Sequence, residues 1–434
     1  MRDAGDKSYR AGITIATLAL MIASAVLTAQ PPTAPTTTAD VSVADKVAWL
    51  AGNSVTLRSI NPHDEDFADL RPLARSIGDA RIVLLGGSRE AAAVNAKDRL
   101  VRFLHQEMGF DVLASSTNLF DAEEFYRALV DGRVSPRADI EQGFGIQLPS
   151  SLPQGPARWV NRMPTQPDIL DYALATHKTG RPLHIAYLGS LVSAFLRTDY
   201  ARRLFQLVDR IDPHLALPAD RKAIQSLLNF ITRAGPAGST QWDKLLPPGL
   251  EAITRLYDGL GRLPPNSPDA PEISFYRYTL ASLGFYASIK AGRPLQVQPK
   301  DPLAWTAKTW RPQSKIVVWS SNQIATRMAP VCREFGNAVY TIAFSEIKDD
   351  NGVLEVLPAG PQPSLAPVEG DLESLLHAVG KPYSFVDFRS LPQNHWLRQP
   401  LAARLIPAPA ITSWPTMFDG LLVIDLAALK DKKK

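Results

Sequence analysis

The chain has 434 residues, 45% of them apolar and 21% charged, a globular balance in a length that allows more than one core. Its formal net charge of +4 is small for that length and gives no reason to expect a nucleic-acid partner, which needs a concentrated basic face. A lone cysteine, Cys332, excludes an internal disulfide and a thiolate metal cluster.

The first element is a targeting segment. Arg2, Lys7 and Arg10 precede an uncharged run from Ala11 to Ala29, and Ala23, Ser24 and Ala25 offer small residues for cleavage. This pattern is that of a secretory signal peptide. The run is also nearly long enough to span a bilayer, so residues 1–29 are read as a signal peptide or an N-terminal anchor. The expected location is outside the cytoplasm, periplasmic or extracellular. Membrane contact is expected only through residues 11–29, and only if they are retained. Residues 30–40 are a linker rich in Pro and Thr.

From residue 41 the pattern is globular, with Val43, Val47, Trp49 and Leu50 opening a helix. Short apolar runs follow. Arg81 to Leu85 ends in Gly86-Gly87, Asp111 to Ala114 in Ser115-Ser116, His184 to Leu188 in Gly189-Ser190, and Lys315 to Trp319 in Ser320-Ser321-Asn322. Ala338 to Ile342, Tyr383 to Asp387 and Leu421 to Ile424 are similar. Such runs suit parallel strands covered on both faces. Helical patterns at Ala92 to Gln106 and Ala122 to Val130 alternate with them. The spacing predicts an α/β fold with a mainly parallel β-sheet covered by helices. Its cleft should lie beyond the carboxyl ends of the strands. A helical insertion is expected over 199–295, with helices at Leu204 to Ile211, Lys222 to Arg233, Leu250 to Leu260 and Ile273 to Lys290. It divides the α/β core into 41–198 and 296–428, and 429–434 is a solvated basic tail.

Several motifs are missing. Gly86-Gly87-Ser88-Arg89-Glu90 lacks the last glycine of a nucleophile elbow, and no H-E-x-x-H pair occurs. Gly143-Phe144-Gly145 lacks the third glycine of a dinucleotide loop. No metal or cofactor is therefore expected. The seven histidines (His63, His105, His177, His184, His214, His377, His395) are scattered.

Four strings, in order, resemble the erythromycin esterase family. The first runs from Asn61-Pro62 through Asp66-Phe67, Asp69-Leu70 and Pro72-Leu73 to Gly78-Asp79-Ala80-Arg81-Ile82-Val83. The second is Arg99 to Leu104 through Glu107-Met108-Gly109-Phe110. The third is Lys315 to Trp319 with Asn322, and the fourth is Phe418 to Asp425. Together they span roughly residues 60 to 427, with the helical middle matching weakly. The resemblance implies a hydrolase that opens a macrolide lactone ester with an activated water. A histidine in a G-E-x-x-H-G-like loop after the first strand would serve as general base, oriented by glutamates. Water needs such a base within hydrogen-bond reach, and a carboxylate beside the imidazole stabilises the cation that forms.

The sequence departs from that pattern at each such place. Gly87 stands where the glutamate is expected and Glu90 where the histidine is expected. No histidine lies between His63 and His105. Ser116 falls at or next to the position of the glutamate after the second strand. Ser320-Ser321-Asn322-Gln323-Ile324 keeps only the asparagine of A-H-N-x-H. Gly87, Glu90, Ser116 and Ser321 are thus degenerate positions, with no catalytic residue assigned.

The reading from sequence is an exported, non-catalytic or ligand-binding homologue. Its cleft candidates are Ser88, Arg89, Glu90, Asn118, Ser190 and Asn322, with a small ester, lactone or acid as ligand. Arg89 could hold a carboxylate or simply pair with Glu90, and the serines could simply cap helices. Two alternatives stay open. One is an active ester or lactone hydrolase with a relocated base, such as Glu90, His177 or His395. The other is a structural or interaction protein of the cell envelope.

Overall fold

A computed structural model describes residues 41–87, 91–118, 167–189, 200–232, 240–292, 299–347, 370–406 and 410–431, with positions 123, 126, 127 and 130–132. Side chains are described at all of these except 116–118, 167, 187, 189, 232, 290, 430 and 431. The signal or anchor segment, the linker, Ser88, Arg89, Glu90, Ser190 and the last three lysines lie outside the described residues. All of the described secondary structure belongs to the unit Ser42–Lys434.

The described elements begin with α1 (Val43–Asn53), β1 (Val55–Thr56), α2 (Arg71–Ile77), β2 (Ile82–Leu85), α3 (Ala91–Met108) and β3 (Val112–Asn118). Next come α4 (Pro167–His177), β4 (His184–Gly189), α5 (Tyr200–Ile211), α6 (Pro218–Thr232), α7 (Gln241–Gly261) and α8 (Ala270–Lys290). The chain continues through α9 (Pro302–Trp305), β5 (Ile316–Trp319), α10 (Asn322–Arg333), β6 (Val339–Ile347), α11 (Leu372–Ala378) and β7 (Tyr383–Asp387). It closes with β8 (Leu401–Ala403), β9 (Ala410–Thr412), β10 (Gly420–Asp425) and α12 (Leu426–Asp431).

The eight-stranded sheet has the order β1-β7-β10-β6-β2-β5-β3-β4. Every pair from β10 to β4 is parallel, while β7 runs antiparallel to both β10 and β1. The fold is the expected α/β fold, mainly parallel, with a helical insertion. The chain lays β3 and β4 to one side of β2, returns with β5 beside β2, then crosses to β6 on its other side. The direction of strand addition therefore reverses at β2, and ligands bind at such a reversal, beyond the carboxyl ends.

The strands are apolar throughout because both faces are covered. On one face Val83, Leu85, Leu113, Ile185, Val317, Ile342 and Phe344 meet Phe103 of α3 and a core shared with the inserted helices. On the other, Ile82, Leu84, Val112, Ile316, Val318, Ala343 and Ile347 meet Leu303, Ala325, Leu372 and Leu375. Successive residues alternate between the faces, as pleating requires.

Three local expectations are corrected. The second core strand does not stop at Ser115-Ser116. β3 continues to Asn118, with a register shift against β4 between Ser115 and Asn118, so Ser116 and Asn118 belong to a strand and not to a loop. β6 runs on to Ile347 instead of Ile342, paired along that extension by β10. The third inserted helix starts at Gln241 rather than Leu250, because α7 carries Pro247 and Pro248 internally. A proline pair usually signals a helix boundary. The small β8–β9 hairpin was not expected.

Candidate functional site

The amino-terminal string that marks the resemblance folds around one cation. Arg99 on α3 is buried, and its guanidinium donates to both carboxylate oxygens of Asp69 at 2.8 and 2.9 Å. It also donates to the carbonyl oxygens of Ser59, Asp64 and Asp66. A planar fork matched to a carboxylate and three carbonyls satisfies a buried charge. Arg58 adds a second ring of contacts by pairing with Asp64 and Asp66. This packing holds α3 against the segment between β1 and α2.

At the end of β2 the backbone N–H of Gly86 donates to Ile342 O at 2.8 Å. The side chain of Asn322, at the start of α10, closes the neighbouring gap. Its Oδ1 accepts from Gly87 N at 2.7 Å and Phe344 N at 3.1 Å, and its Nδ2 donates to Phe344 O at 2.8 Å. A Cβ at Gly86 would meet Asn322 Oδ1 at 2.1 Å, so glycine is required there. Gly87 has φ +92°, and a Cβ on it would lie 3.0 Å from Phe344 and 3.2 Å from Lys97 Cε. Ser321 caps α10 by accepting from Ile324 N, the structural use of serine expected at a strand-to-helix turn. Ser320 N and Oγ both donate to Leu85 O.

Sequence reasoning passed over Lys97. It is 1% exposed and reaches from α3 to the carboxyl end of β5 and the body of β6. Its Nζ donates to Ser320 O at 3.0 Å and lies 5.3 Å from the Trp319 ring and 5.8 Å from the Phe344 ring. Aromatic faces attract a cation at that range. The signal in sequence was a lysine inside an apolar repeat, Val94, Lys97, Val101 and Leu104. Ser115, paired in register with Trp319, was also missed in favour of Ser116. It is buried, and its Oγ makes no hydrogen bond. Glu346, further along β6, is buried as well. Of the sequence candidates, Gly87, Ser321 and Asn322 come together here. The backbones of Ser116 and Asn118 belong to β3, two strands from β2.

All seven histidines find their contacts elsewhere. His105 bonds Tyr172 Oη and Arg181 O, and burial pushes its pKa down. His184 opens β4 at the opposite edge of the sheet beside Glu123. Burial lowers its pKa against the raising effect of Glu123. His63 lies 3.6 Å from Asp168, and His177 closes α4 near Tyr126. The backbone N–H of His214 donates to Asp212, and the His395 ring lies tilted against Trp49 at 4.3 Å. His377 of α11 meets Asp425 at 2.8 Å. Cys332, packed half-buried against the core in α10, has its thiol pKa pushed up to about 11 by burial. Among the described residues no group of three or more His, Cys, Asp or Glu could hold a metal ion.

No protein-family model matches the chain. A Bacillus subtilis (strain 168) protein named "Putative hydrolase YbfO" is 22% identical over 407 residues, covering 82% of this chain and 84% of that one. Among solved structures, a Bacillus cereus protein superposes with a TM-score of 0.67 at 17% identity, covering 88% of this chain and 97% of that one. A succinoglycan biosynthesis protein gives a TM-score of 0.62 at 16% identity, over 89% and 97% of the two chains. A histidine-to-asparagine mutant of erythromycin esterase EreC, in its open conformation, gives 0.55 at 16% identity, over 85% and 96%. The chain has the erythromycin esterase fold. In this erythromycin esterase-like chain, the four strings noted in the sequence map onto the Arg99 loop, the body of α3, β5 with Asn322, and β10.

Proposed function

We propose that the chain is an exported, erythromycin esterase-like protein whose β2 cleft holds a small ester, lactone or acid without hydrolysing it. The fold, and the similarity to a protein named as a hydrolase, support a hydrolase-like origin in broad terms. The single observation that carries the finer reading is the packing at Gly87. Where the resemblance calls for a glutamate, the backbone is left-handed and Phe344 and Lys97 fill the space a side chain would need. The retained asparagine supports the same reading, since Asn322 spends its amide on the backbones of β2 and β6. Neither Gly86 to Glu90 nor Ser320 to Ile324 contains a histidine. Losing a general base costs roughly a hundred- to ten-thousand-fold in rate.

Binding is tested by thermal shifts across macrolides and small carboxylic acids, since a ligand bound only by the folded state raises the melting temperature. Catalysis is tested by ester and lactone turnover with Glu90→Gln alongside. Turnover that collapses in Glu90→Gln would overturn the reading of the cleft. Export is proposed from the Ala11 to Ala29 run, and N-terminal sequencing of protein recovered outside the cytoplasm checks it. A full-length protein confined to the cytoplasm would refute it.

A further inference from the structure

We infer that His377 and Asp425 form a second, surface-facing proton-transfer site that hydrolyses small activated carboxylic esters, independent of the β2 cleft. Asp425 is the last residue of β10 and is 0% exposed. It is fixed on three sides. Its N–H donates to Pro382 O at 2.7 Å, its Oδ1 accepts from Ala428 N at 2.9 Å, and its Oδ2 lies 2.8 Å from His377 Nδ1. A carboxylate oxygen accepts, so Nδ1 carries the proton and the lone pair falls on Nε2. The imidazole is 48% exposed, so a buried anion stands behind a solvent-facing base. That is the arrangement in which a carboxylate sets the tautomer and stabilises the imidazolium.

The site lies on the sheet face opposite Lys97. Asp425 shares the pleat of Leu421 and Val423, which pack with α11, whereas Phe344 belongs to the face of α3. Asp425 is also held through its own N–H and through Oδ1, and its Oδ2 faces the imidazole.

The reaction requires no further reagent. His377 Nε2 takes a proton from water as the water oxygen attacks the ester carbonyl carbon. The tetrahedral adduct collapses by breaking the bond between that carbon and the alcohol oxygen. The proton on Nε2 passes to the departing oxygen, giving a carboxylic acid and an alcohol.

The test uses the full chain with p-nitrophenyl acetate. His377→Asn keeps an N–H toward Asp425 but cannot take a proton, and is expected to lower kcat/KM about a hundredfold or more. Asp425→Asn should also lower it, and His214→Asn should leave it unchanged. Added imidazole should restore turnover to His377→Ala beyond the rate that the same imidazole gives without the protein or with His377→Asn, which a merely structural pair would not show. Three results would overturn the inference: hydrolysis no faster than buffer, an unchanged rate in folded His377→Asn, or no imidazole rescue. Turnover lost in Glu90→Gln but kept in His377→Asn sinks both this site and the inert cleft. Turnover lost only in His377→Asn sustains both.

Discussion

Arg99 and Glu373 show how differently a charge can be buried. Arg99 has a partner for every side of its guanidinium, so removing one partner strands the rest. Asp69→Asn or Arg99→Met is expected to cost about 3–5 kcal/mol, the usual penalty for breaking a buried ion pair, measured by urea denaturation. Glu373, on α11, is fully buried, and its Oε1 accepts from Arg404 N at 2.9 Å. Its Oε2 makes no hydrogen bond, and burial pushes its pKa up to about 7. Asp371 nearby raises it further, while Arg404 lowers it. The unfolded chain releases this proton near the ordinary carboxylate value, and the folded chain keeps it until about 7. Between those values the folded state binds more protons, so stability falls as pH rises through the window. Glu373→Gln should abolish that slope and raise the melting temperature at pH 8. A melting curve no different from the parent at pH 8 would refute this. At Gly87, restoring the acid by Gly87→Glu should destabilise by at least about 1–2 kcal/mol from the left-handed backbone alone, without gaining turnover.

Individual elements were legible in proportion to how far their environment is local. β2, β4, β5 and α3 announce themselves because an apolar run ending in Gly or Ser, or a 3.6-residue repeat, is a property of the segment itself. The ends of β3 and β6 did not, since their last residues pair only because β4 and β10 extend beside them. Nor did the antiparallel sense of β7: a strand apolar on both faces reads the same in either direction. Lys97 was hidden for a related reason. A lysine in an apolar repeat looks like a flaw in the helix until Trp319 and Phe344 are seen beneath it. The His377–Asp425 pair joins residues 48 apart in sequence, which no local pattern records. At this scale Asn322→Ala is informative, because one side chain makes three hydrogen bonds joining β2, β6 and α10. Leaving those backbone groups unsatisfied should cost about 1–3 kcal/mol or more. Amide exchange should quicken at Gly87 and Phe344 ahead of the rest of the sheet.

For the whole molecule, the reversal of strand addition at β2 fixes the location of a cleft whatever residues line it. Scaffold and chemistry therefore come apart here. Asn322 holds the backbones at the carboxyl end of β2 and on β6 together, which would serve a binding protein as well as an enzyme. Fold likeness at 16–17% identity speaks for the scaffold alone.

Cys332 adds a practical handle to this arrangement. It is the sole sulfhydryl in the chain and rides near the last turn of α10, the helix whose first turn carries Ser321 and Asn322. Because its shielded thiol stays protonated at neutral pH, a disulfide reagent will modify it mainly when that helix lifts from the sheet. The protein thus comes with a built-in chemical clock for motion at one wall of the cleft. Slower modification in the presence of a small molecule would reveal occupancy without any need to see a product.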